Sequence, residues 1–375
     1  MMLKNYFMPV DAASRAGAVL EIDLGAIVAN WRFLAKKAAS AACAAVVKAD
    51  AYGLGAARVA RALRDAGCRR FFVATLDEGI TLRDALDPAP EIAVFNGPLP
   101  GAAGEFVAPR LIPVLNDAGQ IDSWAKLPAG KRMPPLVQAD TGLARLGLSA
   151  TELTANLDRI KDVGATGLIS HLACADTPAH PLSIRQRERF LAARQQLPDL
   201  TASLAASSGI FLGADFHFDE VRPGAALYGV NPLPGCTNPM RAVVRLTAKI
   251  IQLRKIDSGE PVGYGAAHVM TGPGMLATAS IGYADGWPRS LSHRGCGWLG
   301  GKRVPVVGRL SMDLTTFDVS NAPSTALYPG NSIELIGPHY SVDDAAADAG
   351  TIGYEILTAL GARYHRVYRE PAGRE

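Results

Sequence analysis

Between Ala44 and Arg222 the chain repeats one pattern: a short apolar run ending on a polar residue, then a longer stretch rich in Ala, Leu, Arg and Glu. Few architectures accept that alternation, because each apolar run needs cover on both sides. It is the β-then-α rhythm of a parallel sheet. Eight candidate strands lie near 44–48, 71–75, 91–95, 111–115, 135–139, 166–171, 202–207 and 217–222. Their spacing, about 15–35 residues, is that of a βα unit. Eight units predict a closed, TIM-like (β/α)8 barrel, although an open doubly wound sheet would show a similar alternation. At or just past the run ends stand Lys48, Thr75, Asn96, Asn116, Asp140, His171, Ser207 and Arg222, all able to hydrogen-bond or titrate. In such a barrel ligands bind at the C-terminal mouth, so these residues read as the lining of a site.

After residue 240 the texture changes. Arg245, Thr247 and Lys249 alternate with Leu246, Ala248 and Ile250, the period of a half-buried strand, and further short runs follow at Met275–Gly282, Arg303–Leu310 and Ser332–Ile336. The expected organisation is a barrel over 12–240 and a mostly-β domain over 241–375, with Pro232–Gly235 as linker. With 375 residues, 49% of them hydrophobic, the chain can bury cores of that size. A net charge of +3 without a basic stripe points to a small-molecule substrate and not to nucleic acid. No apolar run approaches the roughly 20 residues of a membrane span. Asp11, Ser14 and Arg15 interrupt Met1–Val19 before it reaches signal-peptide length, so a cytoplasmic location is expected. Five scattered cysteines without a C-x-x-C pair, and seven histidines without ligand spacing, suggest neither disulfides nor a metal site.

The most informative segment is A-A-V-V-K-A-D-A-Y-G-L-G, residues 44–55. A lysine closing an apolar strand is either a surface residue at a strand end or a desolvated amine, whose lowered pKa makes it a nucleophile and a base. The segment resembles the pyridoxal 5'-phosphate (PLP) attachment motif of alanine racemases. So do V-R-P-G-A-A-L-Y-G (221–229), I-G-Y-A-D-G-W-P-R (281–289), S-M-D (311–313) and T-I-G-Y-E-I-L (351–357), in the family's order from Glu21 to the C-terminus. Several spaced motifs in order are far more specific than one.

The resemblance implies a PLP enzyme that interconverts L- and D-alanine, either supplying D-alanine for cell-wall peptidoglycan or degrading L-alanine. It implies Lys48 as cofactor lysine and base on one face of the substrate carbon, and Tyr283 of the partner subunit as base on the other, hence a homodimer with shared sites. A tyrosine with a pKa near 10 needs cationic neighbours to serve as base. The resemblance assigns Arg145 and His171 to that need, and Arg145 also to the substrate. It assigns Arg222 to the pyridine nitrogen of PLP, Tyr52, Ser207, Gly224 and Tyr354 to the phosphate, Asp313 to the catalytic surroundings, and Met312 to the substrate carboxylate.

Two positions depart from the family pattern. A lysine that many members carry in carbamylated form is Gln138 here, whose amide oxygen could accept one bond or give way to an anion. The usual Asn-Ser is Ala206-Ser207. Competing readings are a racemase acting on serine or a broader range of amino acids, a same-fold decarboxylase, a PLP carrier, and a cofactor-independent racemase using two cysteines. Arg222 argues against the decarboxylase, which needs an acidic partner at the pyridine nitrogen.

Overall fold

The computed structural model describes residues 11–370. Residues 1–10, part of the stretch read against a signal peptide, and 371–375, the end of the expected second domain, lie outside the described residues. Two compact units emerge. One is Leu24–Arg241; the other joins the chain up to Asp23 with Ala242–Glu370. The N-terminal boundary at residue 12 is therefore corrected: strand β1 (Ala18–Asp23) belongs with the C-terminal unit, where it pairs antiparallel with β11 (Val244–Ile256) and parallel with β19 (His365–Arg369). Its alternating burial turns one apolar face, Ala18, Leu20 and Ile22, into the core, while β11 and β19 pair its two edges.

The Leu24–Arg241 unit is the barrel. Its strands are β2 (Ala42–Cys43), β3 (Ala45–Val46), β4 (Arg70–Val73), β5 (Glu91–Val94), β6 (Ile112–Leu115), β7 (Leu136–Gln138), β8 (Gly167–Ile169), β9 (Thr201–Ala206) and β10 (Glu220–Arg222). All eight expected runs are present. The two short strands β2 and β3 are one run broken at Ala44. The first half pairs with β10, through Glu220↔Ala42 and Val221↔Cys43, and the second with β4, through Ala45↔Phe71 and Val46↔Phe72. That division closes the circle, since the run bonds the last strand on one side and the next strand on the other. The strands are buried almost throughout, as parallel strands covered on both faces must be.

Helices begin where the local chemistry starts them. Thr75 and Glu78 form a capping box at Leu76–Ala85, Asp117 caps Ala118–Ala125, Ser149 and Glu152 box Ala150–Ala155, and Pro181 opens Pro181–Gln196. The pattern is not uniform. After β5 the connection carries only the 3-10 turn Ala103–Phe106.

In the other unit β11 is the spine. It pairs with β1, with β18 (Ser332–Ile336) and, past a register shift, with β14 (Gly274–Ala279). Around it lie β12 (Pro261–Val262), β13 (His268–Val269), β15 (Cys296–Leu299), β16 (Lys302–Pro305) and β17 (Thr315–Asp318). Of the expected run Arg303–Leu310 only the first part is strand. Gly308 then turns at φ +73°, where an added Cβ would come within 2.9 Å of the Val262 carbonyl oxygen. Among the described residues no helix is long and apolar enough to cross a membrane.

Candidate active site

At the C-terminal ends of the barrel strands the expected residues divide into two groups. Thr75 caps a helix, while Asn116 is buried and donates to the carbonyls of Phe95 at 2.9 Å and Val114 at 3.0 Å. Asp140 Oδ1 accepts the N–H groups of Gly142 and Leu143, both at 2.9 Å, and so shapes the loop that ends in Arg145. Those residues build the rim. Lys48, His171 and Arg222 form the second group, with Arg145 at their edge.

Arg222 is fully enclosed and held from two sides: it donates to Ser203 Oγ and, at 2.5 Å, to the Ser170 carbonyl. Each clamp is itself held. Ser203 Oγ donates to the Glu220 carbonyl at 2.6 Å, and Ser170 Oγ to that of Ala139 at 2.8 Å. The Phe72 ring lies 5.9 Å from the guanidinium carbon. Burial pushes Arg222 down to about 10 against the pull of Glu220, so the side chain stays cationic at neutral pH. Gln186 fixes the neighbouring strand end, donating to the His171 carbonyl at 3.0 Å and accepting from Ala173 N–H at 2.8 Å.

His171 is not a cation. Burial, then Arg222, Arg145 and Lys48, push it down to about 3, so the ring is neutral at pH 7 and meets its neighbours as an uncharged hydrogen-bonding group. The same influences act on Lys48: burial and then Arg145 hold its amine below the usual lysine range, while Glu78 pulls it upward. The Phe95 ring centroid is 5.9 Å from Lys48 Nζ.

Immediately after Lys48 the backbone does something no pattern reading foresaw. Ala49, Asp50, Ala51 and Tyr52 all have positive φ, between 50° and 56°, and make one turn of left-handed helix. L-residues resist this conformation by roughly 1–2 kcal/mol each. The turn is paid for by fixed partners. Ala49 N–H donates to Glu78 Oε1 at 2.8 Å, Ala51 N–H to the Val47 carbonyl at 2.9 Å and Ala56 N–H to Asp50 Oδ1 at 2.7 Å.

The turn places Tyr52 over β10's end. A Cβ on Gly224 would lie 2.4 Å from Tyr52 Oη, so only glycine fits there. Ser207 Oγ accepts the N–H groups of Gly224 at 3.0 Å and Ala226 at 3.2 Å. Tyr52 packs on Tyr228, whose hydroxyl donates to the Val46 carbonyl at 2.9 Å. The Tyr52 phenol and the Ser207 hydroxyl thus gather at one strand end, beside a glycine turn two of whose amides Ser207 Oγ already holds, and hydroxyl donors so placed suit an anion. Gln138 is buried and donates to the Leu146 carbonyl at 3.0 Å, so its amide nitrogen secures the loop just beyond Arg145.

The remaining expected residues lie in the other unit. Tyr283 N–H donates to the Ser311 carbonyl at 3.2 Å and Ala284 N–H to that of Met312 at 2.9 Å. That approach requires Gly282, whose Cβ would stand 2.3 Å from the Met312 oxygen. Asp313 pairs with Arg363 at 2.9 Å, which also holds Asp285 at 3.2 Å. Tyr354 is exposed on Gly353–Ala359. Sequence reasoning passed over Glu78, whose signal was the T-x-x-E box, and Tyr264 in P-V-G-Y-G. Tyr264 is 73% exposed, against 42% for Tyr283, on a turn between Gly263 (φ +73°) and Gly265 (φ +69°), with Arg309 beside Gly265.

Residues 22–232 match the family described as alanine racemase, N-terminal domain, and residues 243–368 match alanine racemase, C-terminal domain. The chain is 51% identical to the alanine racemase of Rhodospirillum rubrum over 368 residues, 96% of this chain and 98% of that one. It is 50% identical to the catabolic alanine racemase of Mesorhizobium japonicum, over 96% and 95% of the two chains. Among solved structures, the alanine racemase of Bartonella henselae with covalently bound pyridoxal phosphate aligns with a TM-score of 0.90 at 43% identity, covering 94% of this chain and all of that one.

Two outcomes follow from this geometry. Ala49→Gly should stabilise the fold by about 1 kcal/mol in thermal unfolding, because glycine relieves positive φ; in a right-handed helix the same change would destabilise. His171 has a folded pKa lowered to about 3, so between pH 6.5 and that value the unfolded chain binds the extra proton and stability falls as pH falls. Relative to wild type, His171→Asn should gain about 1–3 kcal/mol of stability between pH 7 and pH 4, read by denaturant titration.

Proposed function

The chain belongs to the alanine racemase family and racemises alanine, and we propose that it does so with PLP held on Lys48 and two bases on opposite faces of the substrate carbon. The observation that carries the reading is the strand-end cluster: a lysine amine held below its usual range, a buried Arg222 and an anion-binding set at Gly224, all in one barrel. These residues fit PLP. Tyr52, Ser207 and the backbone around Gly224 would take its phosphate, with Tyr354 as a further donor, and Arg222 its pyridine nitrogen. When bound, PLP supplies the electron sink that lets an amino acid's α-proton leave. Arg222, cationic at neutral pH, keeps the ring nitrogen unprotonated and so favours return of the proton to the α-carbon. Lys48 takes or gives the proton on its face. Arg145 orients the substrate carboxylate, with the Met312 backbone as a second contact, and Asp313 belongs to the catalytic surroundings.

The second base is a tyrosine of the β-rich unit in a partner subunit, which makes the enzyme a homodimer. Tyr283 was the expected residue. Tyr264 meets the physical requirement better. It projects further beyond its own fold, on a glycine-flanked turn beside Arg309. Tyr283, laid against Ser311 and Met312, suits the lining of a narrow entrance with Tyr354. A pair of cysteine bases is disfavoured, because burial pushes the Cys68 thiol up to about 12. Five free thiols fit a reducing cytoplasm.

Borohydride reduction and peptide mapping should place the PLP adduct on Lys48; an adduct on another lysine overturns the assignment. Tyr264→Phe should lower kcat by about 10²–10⁴-fold in both directions, with Tyr283→Phe changing KM more than kcat. The reverse result returns the role to Tyr283. Lys48→Ala and Tyr264→Phe proteins, each inactive alone, should regain activity when their subunits are mixed, because one hybrid site then holds both wild-type bases. No recovery would rule out shared sites.

A further inference from the structure

Glu78 sits one strand away from Lys48, on the helix after β4, and both carboxylate oxygens are engaged. Oε2 accepts Ala74 N–H at 2.7 Å and Thr75 N–H at 3.4 Å, closing the capping box at the helix start. A capping glutamate ordinarily needs no more than that. Here Oε1 reaches across to Ala49 N–H at 2.8 Å, the first amide after Lys48 and the first residue of the left-handed turn. One carboxylate therefore ties the ends of two adjacent barrel strands at the residue that follows the reactive amine.

We propose that Glu78 is the positioning residue of Lys48: it fixes the left-handed turn at Ala49 and sets a carboxylate beside the amine. The inference rests on the reading of Lys48 as the cofactor lysine. Two physical needs support it. A turn of four L-residues at positive φ persists only where its surroundings over-determine it. Glu78 provides the tie at the N-terminal end, as Asp50, through Ala56 N–H, does at the other.

The second need is electrostatic. The groups acting on Lys48 are Arg145 from the loop after β7, His171 from the end of β8, the Phe95 ring from the end of β5, and Glu78. His171 is neutral at pH 7, so Arg145 is the opposing cation and Glu78 the anion. Glu78 limits how far burial and Arg145 depress the amine, and keeps it able to hold a proton as well as release one. A racemising base needs both.

Glu78→Gln and Glu78→Asp separate the two roles. The glutamine keeps length but loses charge, and its NH2 faces N–H donors on one side, Ala49 or the Ala74–Thr75 pair. The aspartate keeps charge but falls one methylene short of bridging both strands. In the full-length chain freed of PLP with hydroxylamine, acetic anhydride labelling of Lys48 against pH, read by mass spectrometry, reports the amine directly. Glu78→Gln should move the labelling midpoint down by about one pH unit, whereas Glu78→Asp should leave it near the wild-type value. In the PLP-loaded enzyme both should lower kcat by about 10–100-fold with little change in KM, and Ala49 amide exchange should quicken.

An unchanged midpoint in Glu78→Gln overturns the electrostatic half, and wild-type kcat in Glu78→Asp overturns the positioning half. Should the glutamine variant fail to fold, the aspartate variant still decides positioning, and Glu78→Asp labelled at a lowered midpoint would overturn the charge argument. The labelling midpoint does not depend on which lysine carries PLP. Failure of the Lys48 assignment in peptide mapping is thus distinguishable from failure of its coupling to Glu78.

Discussion

The pairing of the last barrel strand with the first governs everything else in the barrel. Glu220 and Val221 bond to the same short run that carries Lys48 at its end, so closing the sheet brings the termini of β10 and β3 to one mouth. Lys48 and Arg222 are 174 positions apart in the chain, yet closure makes them neighbours in the circle of strands. No hydrogen bond between them is needed. A barrel whose strands are two to six residues long has little freedom to shift register, because a slip of one residue would turn the buried side chains outward.

That enforced neighbourhood sets the electrostatics. Lys48, Arg145 and Arg222 meet at a mouth where the compensating carboxylates, Glu78 and Glu220, sit behind them and are occupied with backbone or with Arg70. The excess positive charge is unspent within the chain, and it adds to burial in stripping His171 of its proton. An anionic ligand relieves that repulsion on binding, which gives a phosphate-bearing cofactor a contribution to affinity beyond its hydrogen bonds.

Much of this was legible. The barrel strands announced themselves because buried parallel strands must be continuous apolar runs, and Lys48 and Arg222 stood out as charges closing such runs. The left-handed turn was hidden, since Ala49, Asp50, Ala51 and Tyr52 include no glycine and nothing in their order signals positive φ. The neutrality of His171 depends on its burial and then on Arg222, Arg145 and Lys48, a sum over positions far apart in the chain. Tyr264 lies between two glycines with no charge pattern to mark it, and its exposure becomes visible only once its unit is folded. The partner of β1 was invisible for a related reason: its register reaches Ala248 on one side and His365 on the other.

That last pairing bears on how the protein is born. β1 is synthesised before the barrel, but its neighbours β11 and β19 are separated from it by the whole barrel and, for β19, by the intervening strands of its own unit as well. At synthesis rates of about 5–20 residues per second, β1 waits roughly 10–45 seconds for β11. Meanwhile the barrel, complete at Arg241, can close behind it. For that interval the nascent chain displays an apolar strand with two open edges, the kind of segment that pairs with whatever strand it meets. Molecular chaperones that shield short extended segments would therefore matter most while β1 awaits β11, and a polysome crowded with identical nascent chains is where strand exchange between copies would arise.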